Sequence, residues 1–210
     1  MKKTYSDTYY HTTLADLASS VDNIRLMIGA ARQAFNRSSL AELEEILRLQ
    51  DIVTLDLDEY FEEIELAQSE PASADNAYLK KLYGILGHLE HSADEIKQMT
   101  EPIRRKIKEA TLFPDKDYFH VNDLFTHIKG FLRGLADLFH AENPSLKKYL
   151  LNEADELLAH CFRAVTDHET TMTHSFGHPH AFAIYLEMNE KFKLMLNYFK
   201  NIILIMDEKP

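Results

Sequence analysis

Residues 71–102, PASADNAYLKKLYGILGHLEHSADEIKQMTEP, decide the fold. Leu82, Ile85, Leu86, Leu89, Ala93, Ile96 and Met99 recur at spacings of three and four, which lays one apolar stripe along a helix. At about 100° of turn per residue, counted from Leu82, the stripe stays within roughly 40° of its centre. Glu90 and Asp94 fall about 80° and 120° round, on its flank. Two carboxylates one turn apart beside a core seam are either a metal-binding edge or an ordinary solvated flank. On the second reading Asp94 pairs with Lys97, and Glu101 with Lys97 or Arg105. Like charges at that spacing cost only about 0.2–0.5 kcal/mol, so the pair does not demand a functional explanation.

The same periodicity continues on both sides. A first helix over about 12–35 turns Leu14, Leu17, Val21, Ile24, Met27 or Ile28, and Ala31 inward. After the Asn36-Arg37-Ser38 break, Ser38 or Ser39 can cap a second helix over about 40–67, with Glu42 completing a capping box. That helix buries Leu43, Ile46 or Leu47, Gln50, Val53, Leu57, Phe61 and Ile64, and Pro71 stops it. The third helix runs from near Ser73 to about Ala110, and Pro102 inside it removes a backbone donor, which predicts a kink or short break. TLFPDKD at 111–117 interrupts the chain at its middle. A fourth helix follows over about 118–141 with Leu124, Ile128, Phe131, Leu135 and Leu138 inward. Asn143-Pro144 reads as N-cap and first helical residue of a fifth helix, to about Met172, with Leu146, Leu150, Ala154, Leu157, Cys161 and Val165 inward. Past a loop containing Gly177 and Pro179, the sixth helix sets Met188, Phe192, Met195, Phe199, Ile202 and Met206 at a/d spacing.

The expected fold class is therefore all-α: six helices as two tandem three-helix bundles, 12–112 and 116–207, within one domain of 210 residues. Each half places a proline, Pro71 or Pro179, just before its third helix. A formal charge of −11 argues against nucleic acid, whose binders present a basic surface. The single Cys161 excludes an intramolecular disulfide and suits a reducing compartment. The two N-terminal lysines are not followed by an apolar run, and the longest pure run, Ile202-Ile203-Leu204-Ile205-Met206, is far short of the ~20 residues that span a bilayer. A soluble, cytoplasmic protein is expected.

With this layout and LEHSADEI at 89–96, the chain resembles the PhoU family and its relatives. These are the PhoU-like domains of sodium/phosphate cotransporters and the small accessory proteins of inorganic phosphate transporters. PhoU-like domains carry a leucine and then Glu-x-x-x-Asp late in the third helix of each repeat, behind a proline-started stretch. Leu89, Glu90 and Asp94 match, with Pro71 nineteen residues before Glu90, and FPDKDYF at 113–119 resembles the accessory proteins. The resemblance covers about residues 14–206. It implies a non-enzymatic regulator of phosphate uptake that docks on the cytoplasmic face of a phosphate transporter or its sensor kinase. Membrane association would be peripheral, through that protein partner, and a homo-oligomer is compatible with it. It also implies a divalent metal or iron cluster, confined to the first repeat. The second repeat has Lys193 and Asn197 where Glu90 and Asp94 stand in the first, and an ammonium and an amide do not make a carboxylate site. The implied ligands are Glu90 and Asp94 with Asp51 or Glu59 of the second helix, although Leu55 interrupts the spacing between those two.

Other constellations are weaker. His88 and His91 fall on the solvent side of the third helix by the angular count, and HETTMTH at 168–174 separates its histidines by six residues, not the four of a zinc protease. His174, His178 and His180 read as a surface cluster, and His168 as a semi-buried continuation of the fifth helix. Asp137-x-x-His140 has no second copy, as a di-iron carboxylate bundle requires. Cys161 lies in a core row and reads as inert packing. The basic run Arg104-Arg105-Lys106-x-Lys108 complements a helix C-terminus, or offers an edge to an acidic partner or anionic lipid. The rival function class is a metal-carboxylate bundle enzyme, and a third is a helical adaptor unrelated to phosphate.

Overall fold

The computed structural model describes residues 5–71, 73, 76–172 and 179–208, with backbone alone for 164 and 167–172. It consists of six helices: α1 (Asp7–Arg37), α2 (Leu40–Gln68), α3 (Ala77–Lys108), α4 (Asp115–His140), α5 (Pro144–Met172) and α6 (Pro179–Asp207). The described residues contain no strand. The all-α, six-helix reading is therefore correct. Every residue of the stripe that opened the sequence reading is buried, as are Leu14, Leu17, Val21, Ile24, Met27, Ile28 and Ala31 of α1. The inward rows of α4 and α6 are buried in full. Phe61, Leu146 and Val165 are only partly buried.

The helices pack in a definite pattern. α1, α2 and α3 contact one another, and so do α4, α5 and α6. Among the described residues two pairs join these sets, α1 against α4 and α3 against α6, while α2 packs only on α1 and α3, and α5 only on α4 and α6. One hydrophobic core runs through all six helices. Two close approaches use glycine: a Cβ on Gly84 would sit 3.1 Å from Ile205 Cδ1 across α3–α6, and one on Gly134 would sit 2.9 Å from Leu150 Cδ2 across α4–α5.

The helix ends depart from expectation in instructive ways. α1 begins at Asp7, five residues before the expected start, because Tyr10 (2% exposed) anchors the extra turn. α3 begins at Asn76, whose Oδ1 accepts from the Leu79 N–H at 3.1 Å, so an amide cap rather than Ser73 starts it. Ser39 is the N-cap of α2 but its hydroxyl makes no capping bond, so the expected capping box does not close. Asn143 does cap α5, its Oδ1 accepting from Ser145 and Leu146 N–H at 2.9 and 3.2 Å. Pro102 does not break the helix: α3 is continuous through it, and the ring is buried.

α3 also supplies cations that close the C-terminal ends of two other helices. The Lys106 ammonium donates to the Phe35 carbonyl of the last turn of α1 at 2.9 Å and lies 4.8 Å from the Phe35 ring centroid. The Lys81 ammonium, 8% exposed, donates to the Met206 and Glu208 carbonyls at the end of α6 at 3.4 and 2.7 Å. Orphan carbonyls and the negative end of the helix dipole explain both placements.

The end of α3 stores a small strain. Thr111 N–H bonds to the Lys106 carbonyl and Ala110 N–H to the Ile107 carbonyl, a Schellman arrangement with Ala110 at φ 50° where glycine is usual. Ala110→Gly should raise stability by about 0.5–1 kcal/mol by removing the Cβ from a left-handed position. Denaturant unfolding tests this, and an unchanged or lower midpoint would count against it.

Candidate functional site

The α2–α3 edge holds the residues singled out in the sequence. Glu90 is half-buried and faces a groove of about 580 Å³ with Asp58, Glu62 and Glu65 of α2, floored by Phe61 and Tyr83. Tyr83 Oη donates to Glu65 at 3.2 Å, and its ring meets Phe61 edge-on at 5.2 Å. Asp94, one turn on, is half-buried and accepts from the buried Gln50 amide at 3.4 Å, the same nitrogen that donates to Thr54 at 3.0 Å. Asp51 and Glu59 are exposed on α2. Burial first, and then Glu59, raise the carboxyl pKa of Asp56. The structure thus draws Glu90 toward Asp58, Glu62 and Glu65, and Asp94 toward an amide.

Among the described residues, no three carboxylate, imidazole or thiolate side chains converge as a metal site needs. At Asp94 the neighbouring group is the Gln50 carboxamide, which donates to it. The ordinary ion pairs expected on this flank are also replaced. Asp94 uses Gln50 rather than Lys97, and Arg105 reaches across to Glu187 of α6. In α6, Lys193 pairs with Glu190 at 2.6 Å and lies 4.7 Å from the Phe162 ring centroid, and Asn197 donates to its own helix backbone.

A second cleft, of about 690 Å³, opens between α1, α4, α5 and α6. Arg32 of α1 donates through Nε to Asn122 Oδ1 at 3.1 Å, and Asn122 is held by reciprocal amide bonds with Asn36 at 2.7 and 2.9 Å. His120 of α4 bonds through Nδ1 to Tyr185 Oη of α6 at 2.9 Å, and its ring meets His160 of α5 edge-on at 4.5 Å. Burial, then the His160 charge, lowers the His120 pKa to about 4, so the imidazole is neutral near pH 7. Its Nε2 is buried and has no hydrogen-bond partner. Asp123 lies between His127 and His160, at 3.6 and 3.7 Å. None of these residues stood out in the sequence. Arg32 and Asn122 are 90 positions apart and His120 and Tyr185 are 65 apart, so no local spacing announces them.

The remaining candidates resolve simply. His88 is not on the solvent side: it is half-buried against Tyr198 of α6, which His91 also flanks, and burial lowers its pKa. Cys161 is fully buried and desolvation pushes its pKa up to about 12, which leaves it without thiolate character. His180 is exposed, with Glu109 at 3.8 Å. Asp137 and His140 are exposed at the end of α4. His174, His178 and Gly177, and the side chain of His168, lie outside the described residues. No helix among the described residues is long and apolar enough to cross a membrane.

Compared with protein-family models the chain matches none. Compared with curated proteins it likewise matches none. Its own geometry must carry the functional reading.

Proposed function

We propose that this protein regulates phosphate uptake by binding rather than catalysis, docking through its helix surfaces on the cytoplasmic face of a phosphate transporter or its sensor kinase. The observation that supports this most is the way the two halves meet. α1 packs on α4 and α3 on α6, so each contact joins a helix to the one in the same place in the other half. A duplicated unit related by an approximate two-fold meets itself in this way, as an isologous interface does. Two tandem three-helix halves are what the resemblance to PhoU-like proteins implies, with Leu89, Glu90 and Asp94 on the third helix of the first half. Docking does not require the metal cluster that the resemblance implies.

The test is affinity capture of the tagged protein from solubilised membranes, together with phosphate uptake by cells with and without it. The expected result is retention of a phosphate-transporter subunit or its kinase, unchanged in a Glu90→Ala/Asp94→Ala variant, and altered uptake on removal of the protein. If neither partner is retained and uptake does not change, the reading fails. If redox-active metal is lost together with an activity in that variant, the enzyme reading replaces it.

A further inference from the structure

Independently of the docking reading, we infer that the cleft between α1, α4, α5 and α6 binds a small phosphate monoester that carries a flat ring, with the phosphate on Arg32 and the ring against Phe119. Arg32 decides the first part. It is half-buried and anchored by Nε to Asn122, which leaves its two terminal amino groups, and no carboxylate among the described residues pairs with it. In a chain with 34 acidic residues against 23 basic ones, a half-buried guanidinium would be expected to have found a carboxylate. Its donor fork matches two oxygens of a phosphate, and the anchor already fixes its orientation.

The surroundings agree. Arg163 of α5 lines the same cleft and has no carboxylate partner among the described residues, and Lys116 of α4 also lines it. If the Tyr185 hydroxyl donates to His120 Nδ1, the neutral imidazole carries its proton on Nε2, a further donor that no protein group uses. Two carboxylates share the wall, Asp117, 4% exposed, and Asp123, with the imidazoles of His127 and His160 at 3.6 and 3.7 Å; they oppose an anion, and Arg32, Arg163 and Lys116 outnumber them. Size and surface decide the second part. About 690 Å³ is in the range of small-molecule sites and far more than inorganic phosphate fills. The Phe119 ring is 68% exposed at the rim, a face on which a flat ring can stack. The net charge of −11 argues against a nucleic acid, which needs an extended basic surface, so the ligand inferred is a small one held by the local cations of the cleft.

Calorimetric titration with AMP, adenosine and inorganic phosphate tests this on the whole chain. AMP is expected to bind, with adenosine and phosphate each about tenfold weaker or more. Arg32→Gln should weaken AMP by about tenfold or more and leave adenosine unchanged, whereas Phe119→Ala, at an exposed rim position where folding is not at stake, should weaken AMP and leave phosphate unchanged. Helical content and melting of both variants are checked first by circular dichroism. No binding of AMP to the parent protein, or AMP binding unaltered in Arg32→Gln, overturns the proposal. Adenosine as tight as AMP overturns the phosphate contact, and inorganic phosphate as tight as AMP overturns the ring contact.

Discussion

Phe35→Ala is expected to lower the unfolding free energy by about 4 kcal/mol, the size seen when a large aromatic is truncated in a packed core. Phe35 is fully buried near the end of α1. Its ring meets Phe113 of the α3–α4 link edge-on at 5.1 Å, stacks on Tyr118 at 5.8 Å and touches Phe125 of α4 at 6.3 Å. Each aromatic pair adds about 0.5–1.5 kcal/mol beyond the area it buries. The Lys106 ammonium lies over the same ring, and burial lowers the Lys106 pKa, so loss of the ring removes part of what offsets that desolvation. The Phe35 carbonyl remains as its partner, which is why the loss is not larger. Phe35→Leu should cost much less, about 1–1.5 kcal/mol, because most of the volume is kept. Guanidinium unfolding of the two variants checks this. A Phe35→Ala loss under about 2 kcal/mol would mean that the junction collapses around the gap.

How much of this was legible in the sequence depends on range. The α3 stripe from Leu82 to Met99 and the a/d row of α6 could be read because each is set by the turn of its own helix. Asn143 could be read as a cap because its partners, the Ser145 and Leu146 N–H groups, are two and three residues on. The same logic failed at Ser39, where the chain enters α2 without turning its hydroxyl to the helix. It failed at His88 because Tyr198 of α6 covers that side of α3, and a single helix cannot show what covers its flank. Lys81 is the clearest case. By composition a lysine belongs in solvent, yet the carbonyls that end α6 bury it, 125 and 127 positions away in sequence. At the candidate sites the pattern repeats: Glu90 and Asp94 were placed correctly on the flank of α3, but the α2 groups beside them, Gln50 at Asp94 and Asp58, Glu62 and Glu65 in the groove that Glu90 lines, depend on the α2–α3 packing. The second cleft draws on four helices and was invisible from any one of them.

Lowering the pH from about 7 to about 4 should cost about 2 kcal/mol of stability through His120, and His120→Gln should flatten that part of the profile. The free imidazole titrates near 6.5, whereas burial, and then the neighbouring His160, hold the folded one at about 4. A group whose folded pKa is depressed in this way is neutral in both states above about pH 7 and contributes nothing there. As the pH falls through the unfolded value, the unfolded chain takes the proton and the folded protein does not, so stability declines down to about pH 4 and then levels. One pKa unit corresponds to about 1.4 kcal/mol, and screening by water in an open cleft reduces the full shift to the figure given. The groups around the ring set the balance. Tyr185 of α6 holds Nδ1, Asp123 favours the charged form, and Lys116 and His160 oppose it, with Arg32 of α1 on the same wall. His88, also depressed by burial, adds to the same acid limb and persists in the variant. Denaturant unfolding at a series of pH values, parent against His120→Gln, reads the difference in slope, and identical acid limbs would show that the folded protein admits the proton at His120 without penalty.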